Sequence, residues 1–195
     1  MAKKESTLLQ LILSLTLIAI VAAVALAAVY TVTKEPIEAS QNSKKNDAIQ
    51  LVLPDFDGKV QDMEIAAAEG EQPVLLHMAY DKKGDLYGAA VETYTNIAYS
   101  GSFTIMVGFD AEGTITGTEV LLMNETPGLG DKIDKSKSSF PEQFVGKNPG
   151  QSSIQVKNDG GDIDAITAAT ISSRAFCDAV NRAYTAFLKA KEVKK

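Results

Sequence analysis

The chain has 195 residues, room for one ordinary domain and a membrane segment. Its net charge of −6 and pI near 4.9 exclude the basic surface that a nucleic-acid partner requires. One cysteine, Cys177, and one histidine, His77, allow no intramolecular disulfide and suggest neither a metal site nor a serine or cysteine hydrolase. The sequence also lacks a Walker loop, a G-x-G-x-x-G fingerprint and CxxC pairs.

Residues 8–32 are almost wholly apolar and carry no charge, and at about 1.5 Å per residue they are long enough to cross a hydrocarbon core of about 30 Å. They are predicted to form a single transmembrane helix after a short tail, residues 1–7. Lys3 and Lys4 stand just before it, so the positive-inside rule places the N-terminus in the cytoplasm and the chain beyond Thr33 on the periplasmic side of the inner membrane. Ala25-Leu26-Ala27 offers an A-x-A-like cleavage site. The apolar run is nevertheless longer than a signal core of about 7–15 residues and continues past that site, which favours a retained anchor. Because the span has no charged residue, any ion pathway belongs to partner proteins.

Residues 33–57 are predicted to be a helical connector: Pro36 suits the first turn of a helix leading to Pro54, with Lys44 and Lys45 on a solvated face or in a short linker. An external domain then occupies residues 58–195. Its first half consists of the runs KVQDMEI, PVLLHMAY, LYGAAVETYTNIAY, SFTIMVGFD and TITGTEVLLM, rich in β-branched and aromatic residues. Turn signals at Glu69-Gly70, Lys83-Gly84, Ser100-Gly101 and Glu112-Gly113 separate them, so neighbouring strands are expected to pair antiparallel. The predicted fold class is α+β, a twisted antiparallel sheet with helices packed against one face. No alternation of strand and long helix supports a Rossmann-type sheet. His77 falls within a strand.

After the last strand comes Glu125-Thr126-Pro127-Gly128-Leu129-Gly130, in which Pro-Gly suits the centre of a type II turn. The polar stretch that follows contains Phe140, Phe144 and Val145, enough for one short amphipathic turn. SSIQVKNDGGDIDAI is expected to resume extended structure, interrupted by a turn at residues 158–161. Beyond Thr170 the apolar positions Phe176, Val180, Ala183, Tyr184, Phe187 and Leu188 follow one helical face, and Cys177 is a small packing residue on that helix. Lys189, Lys191, Lys194 and Lys195 suit its negative end. Thr170 at the opposite end admits two readings. It is a simple N-cap, or it sits where free N–H groups attract an anion such as phosphate, with Arg174 one turn on as a further contact.

Asp164-Ala165-Ile166-Thr167-Ala168-Ala169-Thr170 resembles the flavinylation motif of the FMN-binding domain family. That family is shared by the G subunit of the Rnf electron-transport complex and the C subunit of the sodium-pumping NADH:quinone reductase. The E-T-P-G-L-G string at residues 125–130, about 40 residues earlier, resembles its second hallmark. The resemblance implies FMN joined to Thr170 by a phosphoester, with Asp164, Thr167, Ala168 and Ala169 forming the attachment motif. Asp164 would help a flavin transferase recognise the site. The resemblance further implies that Glu125, Thr126, Pro127, Gly128, Leu129 and Gly130 line the pocket. Ser172 and Ser173 are possible donors to the phosphodiester, and Tyr99, Leu122 or Met123 possible contacts of the flavin ring. Ala168 stands where the family has glycine, which the turn tolerates unless that position needs positive φ.

The implied function is electron transfer in an ion-translocating ferredoxin:NAD oxidoreductase of the Rnf type, among other membrane subunits, with no catalytic turnover of its own. The alternatives are the C subunit of the quinone reductase, or a single-span module that binds a ligand non-covalently or acts as a scaffold.

Overall fold

A computed structural model describes residues 7–53, 56, 59–65 and 72–193. Lys3, Lys4, Pro54, the turn signal at Glu69-Gly70, Lys194 and Lys195 lie outside these residues. The chain divides into two units, one up to Ser43 and one from Lys44 onward.

The first unit is most of α1, which runs unbroken from Leu8 to Val52. Its apolar part is exposed on every side, a pattern that suits lipid and not water. The helix expected to begin near Pro36 is instead the continuation of α1, with Pro36 inside it. Proline keeps the φ a helix needs but forfeits the hydrogen bond to the carbonyl four residues earlier and crowds that carbonyl, at a cost of about 3 kcal/mol.

The second unit is built on five strands, β1 (Lys59–Ile65), β2 (Val74–Tyr80), β3 (Leu86–Ala98), β4 (Gly101–Asp110) and β5 (Ile115–Leu122). They pair in chain order, each antiparallel to its neighbour. The turns after β2, β3 and β4 carry Gly84, Gly101 and Gly113 at φ of 93°, 103° and 91°, which is why glycine marks those connections. His77 lies in β2 opposite Asp62, whose carboxylate is 2.7 Å from its Nδ1.

The last helix, α2 (Thr170–Val193), covers one face of the sheet. Phe176, Val180, Ala183 and Phe187 are buried as their spacing predicts, whereas Leu188 faces solvent. Phe176 anchors an aromatic cluster, with ring centroids 4.9 Å from Phe144, 5.5 Å from Phe140 and 6.3 Å from Phe103. Phe140 and Phe144 belong to a single 3-10 turn, Phe140–Phe144, while Val145 remains exposed.

The other face is covered as well. The end of α1 packs there, burying Ala48, Val52 and Leu53 against Ala79, Ala90 and Met106. Gly108 in β4 and Gly117 in β5 make room for Val52, since a Cβ on Gly108 would collide with the Val52 carbonyl. Thr116 donates its hydroxyl to that same carbonyl. Lys45, expected to be merely solvated, pairs at 2.9 Å with half-buried Glu92.

The stretch before Thr170 departs most from prediction. Between Ser152 and Ile166 the only pairing is a parallel bridge, Val156 to Ile163, closed around a 3-10 turn at Lys157–Asp159. The loop bonds to itself, Lys157 N–H to the Ile163 carbonyl at 2.8 Å and Ile163 N–H to the Gln155 carbonyl at 3.0 Å. With its backbone groups satisfied internally it joins no sheet edge.

Candidate functional site

Ile166 to Ala169 form a tight turn in which Ala169 N–H donates to the Ile166 carbonyl at 3.0 Å. Its third residue, Ala168, has φ of 62°, the one positive-φ non-glycine residue among those described, so the turn has the form of type II. The condition under which alanine would matter is therefore met: this position does need positive φ. Ser173 braces the turn. Its hydroxyl accepts from Ile166 N–H at 2.9 Å and donates to the Ala169 carbonyl at 3.0 Å.

This turn delivers Thr170 to the start of α2. Ser173 N–H is the first in α2 to find a carbonyl, that of Ala169 at 3.0 Å. The amides of Thr170, Ile171 and Ser172 are therefore left pointing out of the helix end, where the dipole favours negative charge. Among the described residues the Thr170 hydroxyl has no hydrogen-bond partner, so it does not act as a side-chain cap.

The opposite wall is residues 125–130. Leu129 N–H donates to the Thr126 carbonyl at 3.2 Å, and Gly128 has φ of 77°, the predicted type II turn with Pro127 and Gly128 at its centre. Glu125 is 6% exposed and joins three elements. One carboxylate oxygen accepts from Ser100 N–H at 3.0 Å, in the β3–β4 turn. The other accepts from the Ser172 hydroxyl at 2.5 Å, in the first turn of α2. Gly130 is glycine for a steric reason: a Cβ there would run into the Glu125 carboxylate and come within 2.7 Å of Ser172 Oγ.

Together these walls enclose a cavity of about 430 Å³. Thr170, Ala168, Ala169 and Ser172 line it from the helix side, and Glu125, Thr126, Leu129 and Gly130 from the loop side. Tyr99 and Ile171 complete it, both well exposed at its mouth. A flat aromatic ring suits the apolar lining, and an anion suits the unpaired amides beside a free hydroxyl. Among the described residues neither lysine nor arginine lines it, so the groups there that would meet a phosphate are helix-terminal N–H groups.

The FMN-binding domain model matches residues 98–185, a span that contains both walls of the cavity. The G subunit of an ion-translocating oxidoreductase complex from Aliivibrio fischeri is 34% identical over 183 residues, covering 88% of this chain and 86% of its own. The chain belongs to the family of G subunits of ion-translocating oxidoreductase complexes. Relatives of the same name from Cereibacter sphaeroides (32% identity, 90% of this chain and 82% of theirs) and Cronobacter sakazakii (37%, 80% and 79%) agree. NqrC from Shewanella oneidensis, a solved structure, aligns with a TM-score of 0.47 at 17% identity, covering 74% of this chain and 73% of its own.

In this member of the G-subunit family, several residues expected at the site lie elsewhere. Asp164 is exposed, its carboxylate 2.7 Å from Lys157 Nζ and its backbone N–H donating to Gln143 Oε1 at 2.8 Å. Thr167 points to solvent, and Pro127 and Gly128 shape the loop without lining the cavity. Ser173, expected to face an anion, spends its hydroxyl on the backbone. Arg174, expected there too, makes a bidentate pair with Asp159 at 2.6 and 2.7 Å. That bond holds the Asp159 carboxyl below its ordinary value and raises the Arg174 guanidinium. Of the three candidate ring contacts, Tyr99 lines the cavity and Leu122 and Met123 do not. Sequence reasoning misses Ile171; its signal is an apolar residue beside Thr170 that falls outside the buried stripe of α2.

Proposed function

We propose that this chain is a membrane-anchored electron-transfer protein carrying FMN through a phosphoester on Thr170, in an ion-translocating ferredoxin:NAD oxidoreductase of the Rnf type. The observation that carries the proposal is the unpartnered Thr170 hydroxyl, set at the N-terminus of α2 inside a cavity it shares with residues 125–130. FMN, when bound, supplies one- and two-electron chemistry that no side chain here possesses. The chain's part is to hold it. The Thr170 Oγ is the attachment atom, and the amides of Thr170, Ile171 and Ser172 bind the remaining phosphate charge. Tyr99, Leu129 and Ile171 bear on the ring, and none of these groups has to act as acid or base.

The linkage is made by a flavin transferase that recognises the exposed strip from Asp164 to Thr167. Residues 1–7 lie in the cytoplasm, 8–32 in the membrane and 58–195 on the periplasmic side, with 33–57 joining them. Electrons pass to and from other membrane subunits of the complex, which also hold the ion pathway. The G-subunit relatives, at 32–37% identity over most of this chain, support this assignment over the C subunit of the quinone reductase.

The test is in-gel flavin fluorescence after full denaturation of the protein co-expressed with a flavin transferase. A fluorescent band is expected for the wild type and for Thr167→Ala, and its loss in Thr170→Ala. A dark wild-type band beside an active transferase would overturn the covalent assignment.

A further inference from the structure

We propose that Glu125 is the electrostatic determinant of the flavin's potential: a buried carboxylate on the cavity wall that disfavours the negative charge arriving with each electron. The inference rests on the flavin assignment above. Three observations carry it. Glu125 is 6% exposed and lines the same cavity as Thr170. Both its oxygens are held, one by the Ser100 N–H and the other by the Ser172 hydroxyl, so the group is fixed on the cavity wall. Among the described residues no lysine or arginine lines the cavity to offset it.

A cavity with a buried anion and no cation imposes a negative field on whatever occupies it, and burial weakens the screening that water and salt would supply. An electron added to a flavin there raises the negative charge beside the carboxylate. Oxidised cofactor is thereby favoured over reduced, and the midpoint potential falls. Gly130 is part of the same device, because only a residue without a side chain leaves the carboxylate and the Ser172 hydroxyl in contact. Ser172 meets the carboxylate from the first turn of α2, and the Ser100 N–H holds it independently of that contact.

The experiment is a potentiometric titration of the full chain in detergent, flavinylated by co-expression and followed by flavin absorbance. Glu125→Gln keeps the shape, accepts from Ser100 and can donate to Ser172, but removes the charge. It is expected to raise the potential by at least a tenfold change in the one-electron equilibrium, about 59 mV. Ser172→Ala loses the hydrogen bond and keeps the charge; a merely structural role would move both variants alike, whereas this proposal moves Glu125→Gln upward alone. Leu129→Lys, which sets a cation on the same wall, is expected to raise the potential too and decides the matter should Glu125→Gln fail to fold. Glu112→Gln, in the exposed β4–β5 turn, serves as the neutral control.

A bright band at Thr170 with an unchanged potential in Glu125→Gln, or in Leu129→Lys where only that variant folds, overturns this inference and leaves the flavin assignment standing. A dark wild-type band removes both.

Discussion

Replacing Ala168 by glycine tests the geometry of the threonine-bearing turn through the sign of a stability change. At φ of 62° the alanine Cβ crowds its own backbone, at a cost of roughly 1–2 kcal/mol for an L-residue in the left-handed region. Glycine removes that cost but gives the unfolded chain more freedom, which returns about 0.4–1 kcal/mol. The net expectation is a gain of about 0.5–1 kcal/mol. For a domain of this size that is a rise in Tm of about 1–4 °C. Cys177 provides the assay, being the sole cysteine and 4% exposed in the core. A maleimide dye that fluoresces on reaction labels it only as the domain opens, in detergent and without any tryptophan. Ala168→Val should move the other way, because a β-branched residue fits positive φ poorly. Were Ala168 at an ordinary negative φ, glycine would lower Tm by a similar amount, and that result would refute the reasoning.

Gly108→Ala should lower stability by about 2 kcal/mol, some 4–8 °C in the same labelling assay, because its Cβ meets the Val52 backbone, which no rotamer change can clear. The thiol of Cys177 is pushed up to about 12, chiefly by burial and then by the charge of Asp159, from an ordinary 9.0. The folded state therefore keeps the proton longer than the unfolded state. The stability this contributes is whole below pH 9 and drains away as pH rises toward 12, at up to about 1.4 kcal/mol per unit. Thermal melts followed by circular dichroism between about pH 8 and 11 should fall more steeply for the wild type than for Cys177→Ala; equal slopes would contradict the burial argument.

The strands were legible because β-branched and aromatic runs, cut by glycines that must take positive φ, leave few alternatives to an antiparallel meander. Gly84, Gly101 and Gly113 mark its corners in the sequence as they do in the fold. Likewise Pro127-Gly128 announced its turn, and the spacing of Phe176, Val180, Ala183 and Phe187 announced the buried face of α2. What stayed hidden depended on long-range fit. Nothing local says that α1 runs through Pro36 and ends against the sheet, because the receiving surface is Ala79, Ala90 and Met106, with room made by Gly108 and Gly117, all on strands distant in sequence. The loop before Thr170 has the composition of a strand, yet its hydrogen bonds close on themselves.

At the site the same division separates residue types from partners. Thr170 and the residue 125–130 loop could be found by pattern, because each is a short string whose backbone chemistry is local. The bond between Glu125 and Ser172, 47 residues apart, could not, and neither could the commitment of Ser173 to the turn and of Arg174 to Asp159. Three neighbours on one helix end thus take three unrelated tasks. Ser172 fixes the carboxylate, Ser173 braces the strained turn, and Arg174 pins the preceding loop. Each task keeps a side chain away from the helix terminus, and the consequence is that Thr170 alone keeps a free hydroxyl beside the unpaired amides. A helix start lined with free side-chain acceptors would have capped itself; this one is left open to an anion because its own hydroxyls are occupied elsewhere.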